Sequence, residues 1–375
     1  MKKIIILLSI SIMCTLRVDA LWINKTMVYG GLTRSYRVYQ SPNYNASYPS
    51  SLLIALHGLG DNMTNFSSIG FDAIADTANI ICIFPQAAND PLAGTAWNSG
   101  AGYMGYYPNT TVDDIGFINA LIDTAETNYS IDTNRVYLCG FSLGGFMTER
   151  MAGQSNTRIA AFVSMSGTIG NGITTFVPGR HIPIAHFHGT ADATVAYTGN
   201  TYGIDVDSLI HFWIINNECN TTPVIYHYPD IASDNITVDR YEYSNGDPQS
   251  DVWFFKMNGA AHTGLFLPGN DISEPIETWL FFRKHTLAKS GIHNINDITQ
   301  LQVFPNPATT HFTINLPQNY TDVSYTLYDI QGNLQYTDKT TGMQIKLNVT
   351  AFPRGIYVLK VITEINTFIT KIILQ

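Results

Sequence analysis

Between residues 26 and 287, short apolar runs alternate with amphipathic stretches. Runs at 35–39, 52–56, 80–84, 136–140, 161–165, 184–187 and 252–257 are short, rich in β-branched and aromatic residues, and bounded by turn residues, so they read as strands. Apolar positions recur at helical spacing over 112–128, 144–153, 205–216 and 274–285, where Pro275 falls in a first turn that has no use for its missing N–H. Strands that alternate with helices predict the α/β fold class, a mostly parallel sheet with helices on both faces. Ligands of such sheets bind outside the carboxyl ends of the strands, so chemistry is expected just after strand ends.

The two ends of the chain have other textures. Lys2 and Lys3 precede an apolar run from Ile4 to Leu8 that continues through Ile10, Ile12 and Met13, and small residues close the segment at Ala20. Residues 1–20 therefore read as an export signal peptide. The run is too short to span a bilayer and is flanked by Arg17 and Asp19, so no membrane-spanning segment is expected. Residues 289–300 are polar and aperiodic, a linker. Beyond them, 311–316, 324–330 and 355–362 alternate with period two between Gly, Asn and Pro, which predicts a small all-β sandwich over 301–375. The domain reading is thus a signal peptide (1–20), an α/β domain (21–288), a linker (289–300) and a β module (301–375).

Composition narrows the partners. The 20 Lys and Arg against 29 Asp and Glu give a net charge of −9, without the clustered positive charge that nucleic acid or an anionic membrane surface requires. After removal of the signal, Cys82, Cys139 and Cys219 remain, an odd number in an exported chain. Cys82 and Cys139 sit in apolar runs where cysteine behaves as a small hydrophobe. No spacing suggests a metal cluster, and no cofactor is expected.

The most informative string follows the strand at 136–140: Gly140-Phe141-Ser142-Leu143-Gly144-Gly145, a G-x-S-x-G elbow that runs at once into a helix. A serine on such a strained turn needs flanking residues without side chains, and the new helix N-terminus favours the charge that develops on attack. The hydroxyl needs a base, and the base an orienting carboxylate, in the chain order Ser, Asp, His of the α/β-hydrolase fold. Downstream, the strand at 184–187 runs into His188-Gly189-Thr190-Ala191-Asp192, and the strand at 252–257 into Gly259-Ala260-Ala261-His262. Ser142, Asp192 and His262 are the predicted catalytic residues. Rival acids lack the same placement: Asp205 and Asp207 start a helix, and Asp230 and Asp234 follow no strand. His211 and His285 fall in helical stretches, and His227 in an ambiguous β-like run.

An oxyanion hole needs two donors. The backbone N–H of Leu143 is one, and the loop Leu56-His57-Gly58-Leu59-Gly60-Asp61-Asn62 offers the other at Leu59. His57 precedes Ser142, which breaks the order, so it is read as shaping that loop. Asp113 and Asp114 read as a helix start rather than as calcium ligands. Trp97, Tyr103 and Phe141 are candidate substrate-binding residues, with Tyr106 and Tyr107 behind them; core packing is the competing role for each aromatic.

Two resemblances extend this reading. With the Leu-His-Gly loop, Trp97-Asn98-Ser99-Gly100, Val112-Asp113-Asp114-Ile115-Gly116-Phe117, the elbow and the Asp192 and His262 strings, residues 26–287 resemble the secreted esterases of carbohydrate esterase family 1, which includes feruloyl and acetylxylan esterases and polyhydroxybutyrate depolymerases. The resemblance implies the α/β-hydrolase fold and a triad at the same three residues. The chain departs from that group at Gly102-Tyr103-Met104, where relatives often carry cysteines, and after His262, where Thr263-Gly264-Leu265-Phe266 displaces an aromatic. Phe304-Pro305-Asn306-Pro307-Ala308, Tyr328-Asp329-Ile330-Gln331-Gly332, Phe352-Pro353-Arg354-Gly355-Ile356-Tyr357 and Lys371-Ile372-Ile373 resemble the C-terminal sorting domain of type IX secretion cargo, which implies that export machinery as a partner and a secreted or cell-surface location.

The expected function is a serine carboxylic ester hydrolase acting on feruloylated or acetylated plant polysaccharide. A polyester depolymerase is the alternative within the class. Acyl-protein-thioesterase-like carboxylesterases share the loop and elbow but are usually shorter and not exported. A non-catalytic surface-binding protein on the same scaffold is the alternative from another class, disfavoured by three intact triad positions.

Overall fold

The computed structural model describes residues 21–264, 270–287, 301–329, 334–363 and 367–375. The predicted signal peptide and linker, and part of the Tyr328 motif, lie outside the described residues. The chain divides into two compact units, Met1–Lys289 and Ser290–Gln375.

The first unit opens with β1 (Leu21–Tyr29) and β2 (Leu32–Gln40), joined by Gly30-Gly31, both at positive φ as a two-residue hairpin turn requires. Next come β3 (Ser50–Leu56), the short helix α1 (Met63–Phe66), α2 (Phe71–Ala78), β4 (Ile80–Pro85), and a small hairpin of β5 (Ala88–Asp90) and β6 (Gly94–Ala96). The chain continues through α3 (Asp114–Asn128), β7 (Ile131–Phe141), α4 (Leu143–Gln154), β8 (Ala161–Met165) and β9 (Ile184–Gly189). It closes with α5 (Val206–Asn216), β10 (Val224–His227), β11 (Thr237–Tyr243), β12 (Val252–Asn258) and α6 (Glu274–Phe282).

Ten strands form one sheet in the order β1-β2-β4-β3-β7-β8-β9-β12-β11-β10. The strands β4 to β12 at its centre run parallel, and both edges are antiparallel. Every residue of β3, β4, β8 and β9 is buried because helices cover both faces; β4 is accordingly a continuous apolar run, β3 and β8 admit only serines among their apolar residues, and β9 carries His186 and His188. Alternation along β3 sends Leu52, Ile54 and Leu56 into a core with Phe117 and Leu121 of α3, Met147 of α4 and Trp213 of α5. Leu53 and Ala55 face the opposite core, with Phe71 of α2 and Phe281 and Phe282 of α6.

The seven predicted strands and four predicted helices are all present, with ends shifted by a few residues. The antiparallel edges β1, β10 and β11 and the helices α1 and α2 were not predicted. β11 is rich in charge, and β10 is only four residues long, so its exposed Val224, Ile225 and Tyr226 make too short an apolar run to be distinctive. Asp113 caps α3 by accepting from the Gly116 N–H at 2.8 Å, and Asp205 caps α5 through the Ser208 N–H, as their positions suggested.

The second unit is all β. Strands β13 (Gln302–Phe304), β14 (His311–Asp329), β15 (Leu334–Asn348), β16 (Gly355–Thr363) and β17 (Thr367–Leu374) pair antiparallel throughout. Their core gathers Phe312, Ile314, Leu327, Leu359, Val361 and Ile372. No described helix is long and apolar enough to cross a membrane.

One buried ion pair ties the edge of the large sheet to α3. Arg34 donates to Asp114 Oδ1 at 2.7 Å with side chains 3% and 0% exposed, and its guanidinium lies 3.9 Å from the centre of the Phe117 ring. Removing one partner strands a buried charge, so Asp114→Ala is expected to cost about 3–5 kcal/mol in urea unfolding. An unchanged midpoint would show that the pair is not an anchor.

Candidate active site

Loops at the carboxyl ends of β3, β7, β9 and β12 converge on one cleft. Ser142 occupies the turn between β7 and α4 at φ 54° and ψ −119°. The turn is held by two backbone bonds, Ser142 N–H to Met165 O at 2.8 Å and Phe146 N–H to Ser142 O at 3.0 Å. The elbow's glycines are steric necessities: a Cβ on Gly140 would sit 2.2 Å from Gly144 O, and one on Gly144 would sit 2.2 Å from Leu56 O.

His262 begins a 3₁₀ turn, His262–Gly264, that follows β12. Its Nε2 lies 2.9 Å from Ser142 Oγ and its Nδ1 lies 2.7 Å from Asp192 Oδ2. Asp192 is buried, and its Oδ1 accepts from the N–H groups of Thr194 and Val195, both at 2.9 Å. Nδ1–H of His262 therefore donates to a fixed carboxylate, and Nε2 is left to accept from the serine hydroxyl. The two loops are laced together: Ala191 N–H donates to Ala260 O at 3.0 Å, and Gly259 N–H to Thr190 Oγ1 at 2.8 Å. Gly189 permits this, since a Cβ there would meet Ala260 O at 2.2 Å.

The cleft has a volume of about 350 Å³. Leu59 and Leu143 line it beside Ser142, and Gly58 passes so close that a Cβ would lie 3.4 Å from Ser142 Cβ. Tyr103 and Phe141 also line it, and the Phe141 ring lies 5.0 Å from the His262 ring. Phe146, Tyr202, Thr194, Val195 and Asp61 complete the lining and were not anticipated. Phe146 stands four residues after Ser142, on the same face of α4, which helical spacing could have shown. Tyr202 arrives from a distant loop and leaves no local signal.

Trp97 requires a correction. It is 0% exposed and lies in the core, where its Nε1–H donates to His57 O at 2.9 Å. Tyr106 and Tyr107 are also absent from the cleft; Tyr106 donates to Asp90 Oδ1 at 2.9 Å. His57 is buried: its Nδ1 donates to Gly58 O at 2.7 Å while Nε2 accepts from the Ala87 N–H at 3.1 Å. Burial pushes its pKa down, so it holds the Leu59 loop as a neutral ring. Asp230 and Asp234 cap turns in their own loop, His211 is exposed on α5, His227 pairs with Asp239, and His285 is buried beyond α6. Cys82, Cys139 and Cys219 are free and buried.

Residues 43–222 match the phospholipase/carboxylesterase family model, and residues 302–375 match the secretion system C-terminal sorting domain. A bifunctional acetylxylan esterase/xylanase of Neocallimastix patriciarum is 27% identical over 252 residues, 66% of this chain and 34% of the relative. Feruloyl esterase D of Neurospora crassa is 25% identical over 257 residues, 68% of this chain and 83% of the relative. A probable feruloyl esterase C of Aspergillus flavus is 28% identical over 258 residues, with 66% and 83% covered. The chain thus spans about a third of the bifunctional relative and most of the two feruloyl esterases.

The Trp97 indole satisfies a carbonyl in the loop that presents Leu59. Trp97→Phe keeps most of the volume but leaves His57 O buried and unpaired, which should cost about 1–3 kcal/mol in denaturant unfolding. A loss below this range would mean that the loop finds another donor.

Proposed function

We propose that this carboxylic ester hydrolase, an exported α/β-hydrolase-fold enzyme with a C-terminal secretion sorting domain, is a serine esterase that releases feruloyl or acetyl groups from plant polysaccharide. The reading is carried by the line Ser142 Oγ, His262 Nε2, His262 Nδ1, Asp192 Oδ2, with steps of 2.9 and 2.7 Å at the floor of the cleft. Ser142 Oγ attacks the ester carbonyl as its proton passes to His262 Nε2. The imidazolium is stabilised by Asp192, and the carbonyl oxygen gains charge opposite the N–H groups of Leu143 and Leu59. Collapse breaks the bond to the alcohol oxygen, which takes the proton from His262 and departs, leaving an acyl-serine. Water then enters and attacks the acyl carbon as it gives a proton to His262; collapse breaks the bond to Ser142 Oγ, which takes that proton back, and the acid leaves.

Substrate class rests on two supports. Acetylxylan and feruloyl esterases are the relatives named above, and the aromatic walls Phe141, Phe146, Tyr103 and Tyr202 suit a flat acyl group. The C-terminal β unit would be the address read by the type IX export machinery, a role supported by the family match over 302–375.

A fluorophosphonate probe should label the purified protein at Ser142, and Ser142→Ala and His262→Ala should each lower kcat by roughly 10⁴-fold or more, because triad members act as a unit. Absence of the adduct under conditions that label a control esterase would overturn the catalytic reading. Acid release should occur from feruloylated arabinoxylan or acetylated xylan; release only from polyhydroxybutyrate film would replace the substrate class while keeping the chemistry.

A further inference from the structure

Behind the carboxylate of Asp192 lies a chain of three titratable side chains that ester cleavage does not itself employ. Glu149 of α4 is 0% exposed, as is His188, and His186 of β9 is 1% exposed. His188 Nε2 lies 2.8 Å from Val195 O and 3.6 Å from Asp192 Oδ2. His188 Nδ1 lies 3.0 Å from His186 Nε2. His186 Nδ1 in turn faces Glu149 Oε1 at 4.0 Å, and neither atom has a hydrogen-bond partner. The other carboxyl oxygen, Oε2, accepts from Trp213 Nε1 at 3.0 Å.

The tautomers follow from the carbonyl at one end. Val195 O can only accept, so His188 Nε2 carries a proton and, in a neutral ring, Nδ1 is bare. His186 must then donate from Nε2, which leaves its own Nδ1 bare and aimed at Glu149 Oε1. Two unpaired acceptors facing each other in the core would be costly, and one proton between them removes the conflict. A shift of about 1 Å would bring the two atoms to hydrogen-bond distance.

We infer that Glu149, His186 and His188 are positioning residues for the triad: a proton held between Glu149 and His186 fixes the tautomer of both imidazoles and keeps an N–H facing Asp192, and loss of that proton reverses the chain. This rests on the proposed role of Asp192 and His262. The proton belongs on Glu149, whose pKa burial pushes up to about 8, while burial pushes those of His186 and His188 down. When it leaves to solvent, the three protons of the chain become two. The new carboxylate draws an N–H from His186 Nδ1, His186 Nε2 becomes an acceptor, and the remaining ring proton of His188 moves to Nδ1. His188 Nε2 then points a lone pair at Val195 O and Asp192 Oδ2, and the loop that holds the catalytic carboxylate loses a donor. The groups facing the chain are the Trp213 indole of α5, the Ser164 hydroxyl of β8, the Phe254 ring of β12, and Tyr197, Asp192 and His262 at its far end. Tyr197 donates its own proton to Asp207 Oδ1 at 2.7 Å, so it does not compete for this one.

The test reads tautomers directly. In ¹⁵N spectra of the full chain, His186 and His188 should be Nε2-protonated at neutral pH and convert to Nδ1–H through a common step near the Glu149 ionisation, at about pH 8. Over the same step, kcat/KM for p-nitrophenyl acetate should fall with a slope approaching about tenfold per pH unit. Glu149→Gln, equal in size and able to donate to His186 without ionising, should abolish both the tautomer step and the alkaline fall. Retention of the alkaline fall in Glu149→Gln, or no tautomer change in the wild-type rings, would overturn the proposal. If Glu149→Gln does not fold, the wild-type spectra decide alone. If Ser142→Ala keeps its turnover, the esterase reading fails while the ring nitrogens still judge the chain.

Discussion

Everything at the edge of the sheet that carries the cleft depends on how closely α4 is pressed into its centre. The turn at Ser142 is strained, at a cost of order 1–3 kcal/mol for a residue with a side chain at positive φ. Contact without side chains on both sides of the elbow makes the strain sustainable. Gly140 lies against Gly144 O, Gly144 against Leu56 O, and Gly145 against Met165 O and Gly167. With that approach, the first N–H groups of α4 reach the cleft and Ser142 Oγ stands at the carboxyl end of β7. A single methyl at Gly140 or Gly144 would push the helix away from the strands and take Ser142 with it.

The same intimacy has a consequence deeper in the helix. Ten of the twelve residues of α4 are buried, from Leu143 to Gly153. A helix so enclosed has no solvent-facing stripe on which a polar residue can rest, so Glu149 must find its partners within the protein. It finds the Trp213 indole on α5 and lies opposite His186 on β9. The strand that carries His186 ends in the loop that carries Asp192. The geometry that sets Ser142 at the carboxyl end of β7 thus also brings a buried acid behind the loop of Asp192.

Local pattern revealed the parts of the molecule whose local pattern is strong. The enclosed strand at 80–85 shows itself as an unbroken apolar run, and Ser142, Asp192 and His262 each stand two to five residues after the end of one of the predicted strands. Edges such as β10 and β11 are harder to read, because β10 is only four residues long and β11 mixes charged with apolar positions. Trp97 shows the other limit. An aromatic beside a catalytic motif can line the cleft or support the loop that does, and composition cannot separate the two; the 0% exposure of its ring and its bond to His57 O assign it to support. Tyr202 and Thr194 reach the cleft from loops whose paths are fixed only by tertiary packing. The approach of Glu149 to His186 was illegible for the same reason, since nothing local in α4 says which strand it will face.

Four histidines gather at this edge of the sheet, and burial sorts them into roles. His57, His186 and His188 are enclosed and pushed toward the neutral form, and each neutral ring can only donate at one nitrogen and accept at the other. Such rings are directional connectors. His57 joins Gly58 O to the Ala87 N–H and so sets the path of the Leu59 loop; His188 joins His186 of β9 to Val195 O in the Asp192 loop, and His186 faces Glu149 of α4 at 4.0 Å. His262 differs in two respects: its side chain is 13% exposed and it touches a carboxylate directly. A ring that must accept a proton and then return it to a leaving group needs both an anion to stabilise its charged form and access to the departing molecule. Among these four rings only His262, in the position after β12, has the two together, which is what the proposed role of a base requires, while the other three are enclosed in the frame around it.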